Sequence, residues 1–138
     1  MKKIFLTTAL LIVTLIVGGC GRLGRNVITG AQQEFVPDAT VYTYCGPVCA
    51  AKGQCGTTEQ AGNLASVVLL NPEQPATRNH GAVLQDNQPV VVIERRPMEI
   101  VYVLNQSQVN QHPFYRVRND ARGLTGWIDG VCLANRQQ

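Results

Sequence analysis

Five cysteines and two histidines carry most of the reactive chemistry in this chain of 138 residues. Cys45, Cys49 and Cys55 stand close together, Cys132 lies near the far end, and Cys20 stands apart at the close of an apolar leader. Thiols so placed could bind a metal, act as nucleophiles or cross-link. A structural zinc site is usually built from tight pairs such as Cys-x2-Cys. The spacing here, Cys-x3-Cys-x5-Cys with Cys132 or His80 as a fourth ligand, is irregular, and no metal is expected. A hydrolase needs a nucleophile, a base and a group that orients the base. His80 lies in Asn79-His80-Gly81 and His112 precedes Pro113, both turn-like contexts. There is no Gly-rich phosphate loop, no His-x3-His and no closely spaced carboxylate pair. The sequence therefore predicts no enzyme and no cofactor.

Cys20 belongs to a different chemistry. Lys2 and Lys3 are followed by Ile4 to Val17, a run without charge or proline. It has the length of a signal-peptide core and is too short to span a hydrocarbon layer of about 30 Å as a helix. Small residues Gly18 and Gly19 suit a signal peptidase. The order Val17-Gly18-Gly19-Cys20, aliphatic, small, small, Cys, resembles the bacterial lipobox. The resemblance implies that the Cys20 thiol receives a diacylglycerol, that the chain is cut before it, and that the new N-terminus is acylated with a fatty acid such as palmitate. Two or three chains anchor firmly, since each buried CH₂ contributes about 0.8 kcal/mol and one chain is marginal. The expected place is the cell envelope, lipid-anchored to a membrane on its extracytoplasmic side. Gly21, not being acidic, permits outer-membrane sorting in a cell with two membranes.

With Cys20 acylated, four cysteines remain in an oxidising compartment, and an even number reads as disulfides. Cys45 and Cys49 are too close to pair readily with each other. One of them is expected to bond Cys55 and the other Cys132.

The elements that must position these groups follow from composition and period. Losing residues 1–19 leaves roughly 120 residues, room for one domain. Two of the 12 basic residues leave with the leader, so ten face nine acidic ones. That balance, without a basic stripe interleaved with aromatics, argues against nucleic acid. Residues 20–40 show no clear apolar period and read as a lipidated tether. Residues 41–65 read as a Cys-rich lobe: Val41 to Tyr44 alternates as a short strand, then turn chemistry appears at Cys45-Gly46-Pro47 and Lys52 to Gly56. From Ser66 the pattern is β. Strands are expected at Ser66–Leu70, Ala82–Leu84, Val90–Ile93, Glu99–Leu104, Phe114–Arg118 and Gly126–Ile128, with Val131–Leu133 closing the set. The polar stretch Asn71–His80 reads as a loop, and Arg95-Arg96-Pro97 as a solvated hairpin tip. The fold class is all-β, a small barrel of five or six strands over 66–135.

The stretches Leu84 to Ile93, Phe114-Tyr115-Arg116-Val117-Arg118, and Gly126-Trp127-Ile128 with Leu133 resemble a bacterial SH3 (SH3b) domain. In that family an aromatic-Tyr-x-Val strand leads through a tight turn to Gly-Trp-Val/Ile, a helical turn and a last strand. Asp129-Gly130-Val131 corresponds to the helical turn. Two departures are plain: Phe114 stands where Trp is common, and the connection from Arg95 to His112 is longer than usual. The resemblance implies an SH3-like barrel and non-catalytic binding, often of peptidoglycan or peptides.

Alternation places Tyr115 and Val117 on one face and Phe114, Arg116 and Arg118 on the other. If Tyr115 and Val117 are core, Phe114 faces outward, and an aromatic beside guanidinium groups can stack on a peptide and pair with its carboxylates. Phe114, Arg116, Arg118 and the neighbouring Tyr102 are therefore the ligand-binding candidates. The alternative for Phe114 is a second, minor core, with the arginines solvated. Trp127 is expected to pack. The function expected is a membrane-anchored binding module for peptidoglycan or an envelope protein. Alternatives are a structural accessory subunit of an envelope or secretion assembly and, third, a Cys/His hydrolase.

Overall fold

The computed structural model describes residues 27–57, 59, 62–74, 78–97 and 113–137. The leader with Cys20, the expected strand at 99–104 with Tyr102, and His112 lie outside these residues. Eight strands form one curled half-barrel sheet: β1 Thr40–Thr43, β2 Cys55–Thr57, β3 Ala65–Leu70, β4 Arg78–Gln85, β5 Pro89–Pro97, β6 Pro113–Asn119, β7 Leu124–Asp129 and β8 Leu133–Ala134. The spatial order is β2-β3-β7-β6-β5-β1-β8, with β4 on the other edge of β3, and every pair is antiparallel.

The curl follows from a short connection. From β7 to β8 is four strand steps, about 19 Å if the sheet were flat. The chain makes that passage through the three residues Gly130–Cys132. Such a link spans about 14 Å at full stretch and about 8 Å coiled as a 3₁₀ turn. The sheet has to bend until β8 approaches β7, and the bend encloses the core. Val67, Leu69, Leu84, Val90, Val92, Tyr115, Val117, Ile128 and Leu133 fill it. Alternation delivers them: Tyr115, Val117 and the buried Asn119 share the inner face of β6, as Val90 and Val92 do on β5. The turn between β4 and β5 passes through Asn87 in the left-handed region, a residue type that tolerates it.

Six strands, β3 to β8, lie between Ala65 and Ala134 among the described residues, in line with the expected five or six, and β1 and β2 add two from the preceding stretch. Other expectations need correction. Arg95 and Arg96 are not a hairpin tip, because β6 offers partners as far as Pro97, opposite Pro113. Likewise β4 begins at Arg78, inside the expected loop, because β3 continues opposite it to Leu70. The Cys-rich stretch is not a separate lobe. Its strands β1 and β2 pair with β5 and β3 of the main sheet. A five-residue helix α1, Pro47–Ala51, lies between them; it is too short to show an apolar period.

The tether ends earlier than expected. From Val27 the chain lies against the sheet, with Thr29 bridged to Ala134 and Phe35 buried beside Tyr115. The Tyr115 hydroxyl accepts from the Phe35 amide at 3.2 Å and donates to the Gly30 carbonyl at 3.2 Å. A buried phenol needs such partners. Gly30 and Gly130 allow backbone to meet backbone, since a Cβ at Gly130 would fall 2.6 Å from the Gly30 carbonyl oxygen.

Candidate functional site

The four cysteines among the described residues form two disulfides. Cys45 bonds Cys55 and Cys49 bonds Cys132, with Cα separations of 5.5 and 5.1 Å. All four sulfurs are thus engaged with one another, which leaves no thiolate among them for the zinc or nucleophile readings. Around them the polar groups are closely matched. The Thr43 hydroxyl donates to the Gln85 carbonyl at 2.7 Å and accepts from the Gln88 amide at 2.9 Å. Next, the Cys45 amide donates to the Asp86 carboxylate at 2.7 Å. Helix α1 opens with Pro47 at its first turn, where no amide hydrogen is needed. Past its end, Lys52 donates to the fully buried Asp129 at 2.8 Å. The other Asp129 oxygen accepts from the Val131 amide at 3.0 Å and caps the 3₁₀ turn. Gln54, also buried, accepts from the Asp129 amide at 3.0 Å and donates to the Val68 carbonyl at 3.3 Å. It bridges β3 and β7 where their own ladder is reduced to Leu70 opposite Trp127.

A cleft of about 330 Å³ opens beside these cross-links. Val27, Thr29 and Ala31 form one wall, Tyr44, Pro47 and Val48 the other, and Val131 of the 3₁₀ turn joins them. The volume falls in the range of small-ligand pockets, which are mostly apolar with a few polar groups. Thr29, Gln32 and Tyr44 supply the polar side chains here. Val48 is 53% exposed, one of the few large apolar side chains left in water. The Tyr44 ring lies close against Gly46: a Cβ there would sit 2.4 Å from its Cε1.

The outer face of β5, β6 and β7 carries the residues expected to bind ligand. Cross-strand register sets Glu94, Arg116, Trp127 and Leu70 in one row across four strands. Phe114 is on that face but fully buried, packed with Leu70 and Trp127 in a small cluster separate from the main core. Of the two readings of Phe114, the second, minor core is the one found, and the outward-facing one is not. Trp127 and Leu70 cover it, and Arg96 lies over the Trp127 ring at 5.3 Å from its centroid. The Trp127 indole donates to the Pro72 carbonyl at 3.1 Å. Arg118 is exposed and turned to Asp120, at 2.5 Å. That hydrogen bond, with the carboxylate charge second, holds its pKa above the ordinary guanidinium value. Arg116 is half-buried beside Glu94. The face thus unites Arg116 with Phe114, sets Arg118 aside, and leaves Tyr102 outside the described residues.

No protein-family model, curated protein or solved structure matches this chain.

Sequence reasoning missed the cleft and Arg96. The cleft unites Val27, Val48 and Val131 from three distant stretches, and none of these has a local signal. For Arg96 a signal existed. Counting in steps of two from the strand at Val90 and Val92, its position falls out of phase, and a bulge between Val92 and Glu94 corrects the phase.

Proposed function

We propose that the mature chain is a lipid-anchored, non-catalytic binding module of the cell envelope, built on an SH3b-like barrel. The cleft beside the disulfides takes an apolar side chain of a cell-wall peptide or of a protein partner. One observation carries this reading. The wall Tyr44-Cys45-Gly46-Pro47-Val48-Cys49 is bracketed by two half-cystines, each bonded to a different part of the fold. A wall so tied loses little conformational freedom on binding, and preorganisation of that kind raises affinity. The SH3b assignment is supported by the order of elements: meander β5–β6–β7, a capped 3₁₀ turn, then the short β8. The envelope assignment rests on the leader and lipobox, and disulfides suit that compartment.

Two measurements test the reading. Wild-type protein should incorporate radiolabelled palmitate and remain with membranes, and Cys20→Ala should do neither. The unlipidated mature domain should sediment with purified cell wall. Val48→Glu, at an exposed position that leaves folding intact, should lower that retention about tenfold or more, as removal of one desolvated hot-spot side chain does. If neither protein sediments with the wall, and cross-linking in intact cells yields no protein partner that disappears with Val48→Glu, the cleft is not a binding site.

A further inference from the structure

The outer face carries more positive charge than its own carboxylates answer. Asp120 pairs with Arg118 at 2.5 Å, while Glu34 serves Arg95, which stands opposite Tyr115 and off this face, at 2.7 Å. Arg96 and Arg116 are left to share one carboxylate, Glu94, and the same oxygen of it, at 3.4 and 3.9 Å. Neither approach has the 2.7–2.9 Å spacing of a charge-assisted hydrogen bond. Each guanidinium has five N–H donors in a planar fork suited to a carboxylate. Moreover, the Arg116 Nε is removed from water and has no hydrogen-bond partner among the described residues. A buried donor without an acceptor is costly, and such an atom signals a missing partner. Arg96 is held in place differently: its guanidinium rests on the Trp127 ring, and Trp127 is locked by the Pro72 carbonyl and the Phe114–Leu70 cluster. The two guanidiniums are therefore positioned by the sheet while their donors stay largely unspent.

We infer that Arg96 and Arg116 form a carboxylate-binding site on the outer face of β5 and β6, in which Glu94 is an internal competitor that an incoming carboxylate displaces. The ligand class is a peptide carboxylate, either a free C-terminus or an acidic side chain. The site shares no residue with the cleft and needs neither the lipid anchor nor the SH3b assignment.

The test follows arginine Nε–H signals by NMR in ¹⁵N-labelled mature domain. Acetylglycine supplies the carboxylate, and acetylglycinamide is the neutral control. With acetylglycine, the Arg96 and Arg116 signals should shift saturably, while that of Arg118, already held by Asp120, stays put. The amide should shift none of them. Glu94→Gln should tighten acetylglycine binding about two- to fivefold, the worth of an exposed ion pair removed from competition. Arg116→Lys, which keeps the charge and loses the fork, should weaken it about tenfold or more. The inference is overturned if Arg118 shifts as much as Arg116, if sulfate shifts all three equally, or if Glu94→Gln leaves the affinity unchanged.

Discussion

The two surfaces are held by different means. At the cleft, the walls are short and mostly exposed. Pro47, Val48, Ala50 and Ala51 face water, and the five-residue α1 is far below the length at which a helix persists by itself. Cross-links and a buried ion pair fix it. On the outer face of β5 to β7, no cross-link is present among the described residues; strand register sets the row, and Phe114, Trp127 and Leu70 bury one another. The difference teaches where this fold spends its cysteines. Cys49 and Cys132 are buried in the main core, so their bond ties the otherwise exposed α1 to it, and the strand-paired outer face carries no cysteine among the described residues.

Removing the cross-links should break that contrast most strongly, and not equally. In the chain-entropy model a disulfide stabilises in proportion to the logarithm of the loop it closes. Cys49–Cys132 closes a separation of 83 residues and Cys45–Cys55 one of 10. The corresponding contributions are about 4.6 and about 2.7 kcal/mol. Urea unfolding of Cys49→Ala/Cys132→Ala should show the larger loss, and Cys45→Ala/Cys55→Ala the smaller. Equal losses would mean that the cross-links act mainly through local geometry rather than through the unfolded chain.

Phe114→Ala should have the next largest effect, about 3 to 4 kcal/mol, because it empties the centre of the small outer cluster. Trp127 is the single tryptophan of the chain, so its fluorescence reports this face alone. Phe114→Ala should shift the native emission to the red, whereas removal of Cys45–Cys55 should leave it in place. A stability loss below about 1 kcal/mol would show that Phe114 is covered without being packed, and would return it to the set of ligand-binding residues.

The same contrast explains what the sequence made legible. Where a strand is half-buried, alternation names its faces, and β6 and β7 fall near the expected positions, with Tyr115 and Val117 inward. The even set of four cysteines in the expected compartment reads as two disulfides, though spacing alone left Cys45 and Cys49 interchangeable. Which one reaches Cys132 depends on the turn of α1, a helix with too few residues to announce itself. Phe114 illustrates another limit. Period 2 gives the face but not its cover, and Leu70 and Arg96 reach it from strands distant in sequence. Val27 to Thr40 was opaque because its contacts are a buried phenol and two close backbones, which leave no apolar period.

The smallest effect on stability is expected at Gly46, and it separates the cleft from its scaffold. Gly46 has φ −81° and ψ 172°, a conformation open to alanine, so Gly46→Ala adds no backbone strain. Restricting the unfolded chain would stabilise by about 0.4–1 kcal/mol. Against this, the new methyl group would fall 2.4, 2.6 and 2.8 Å from Cε1, Cζ and Oη of Tyr44. Something has to move, and the half-exposed ring is the soft element, since Cys45 and Cys49 hold the backbone on both sides. The two terms offset, and the urea midpoint should change by less than about 1 kcal/mol equivalent. The Tyr44 ring signals should move, however, and retention by cell wall or partner should fall. Were the midpoint to drop by several kcal/mol, the cleft wall would belong to the core. Were the ring to move with no change in retention, the Tyr44 side of the cleft would not touch the ligand.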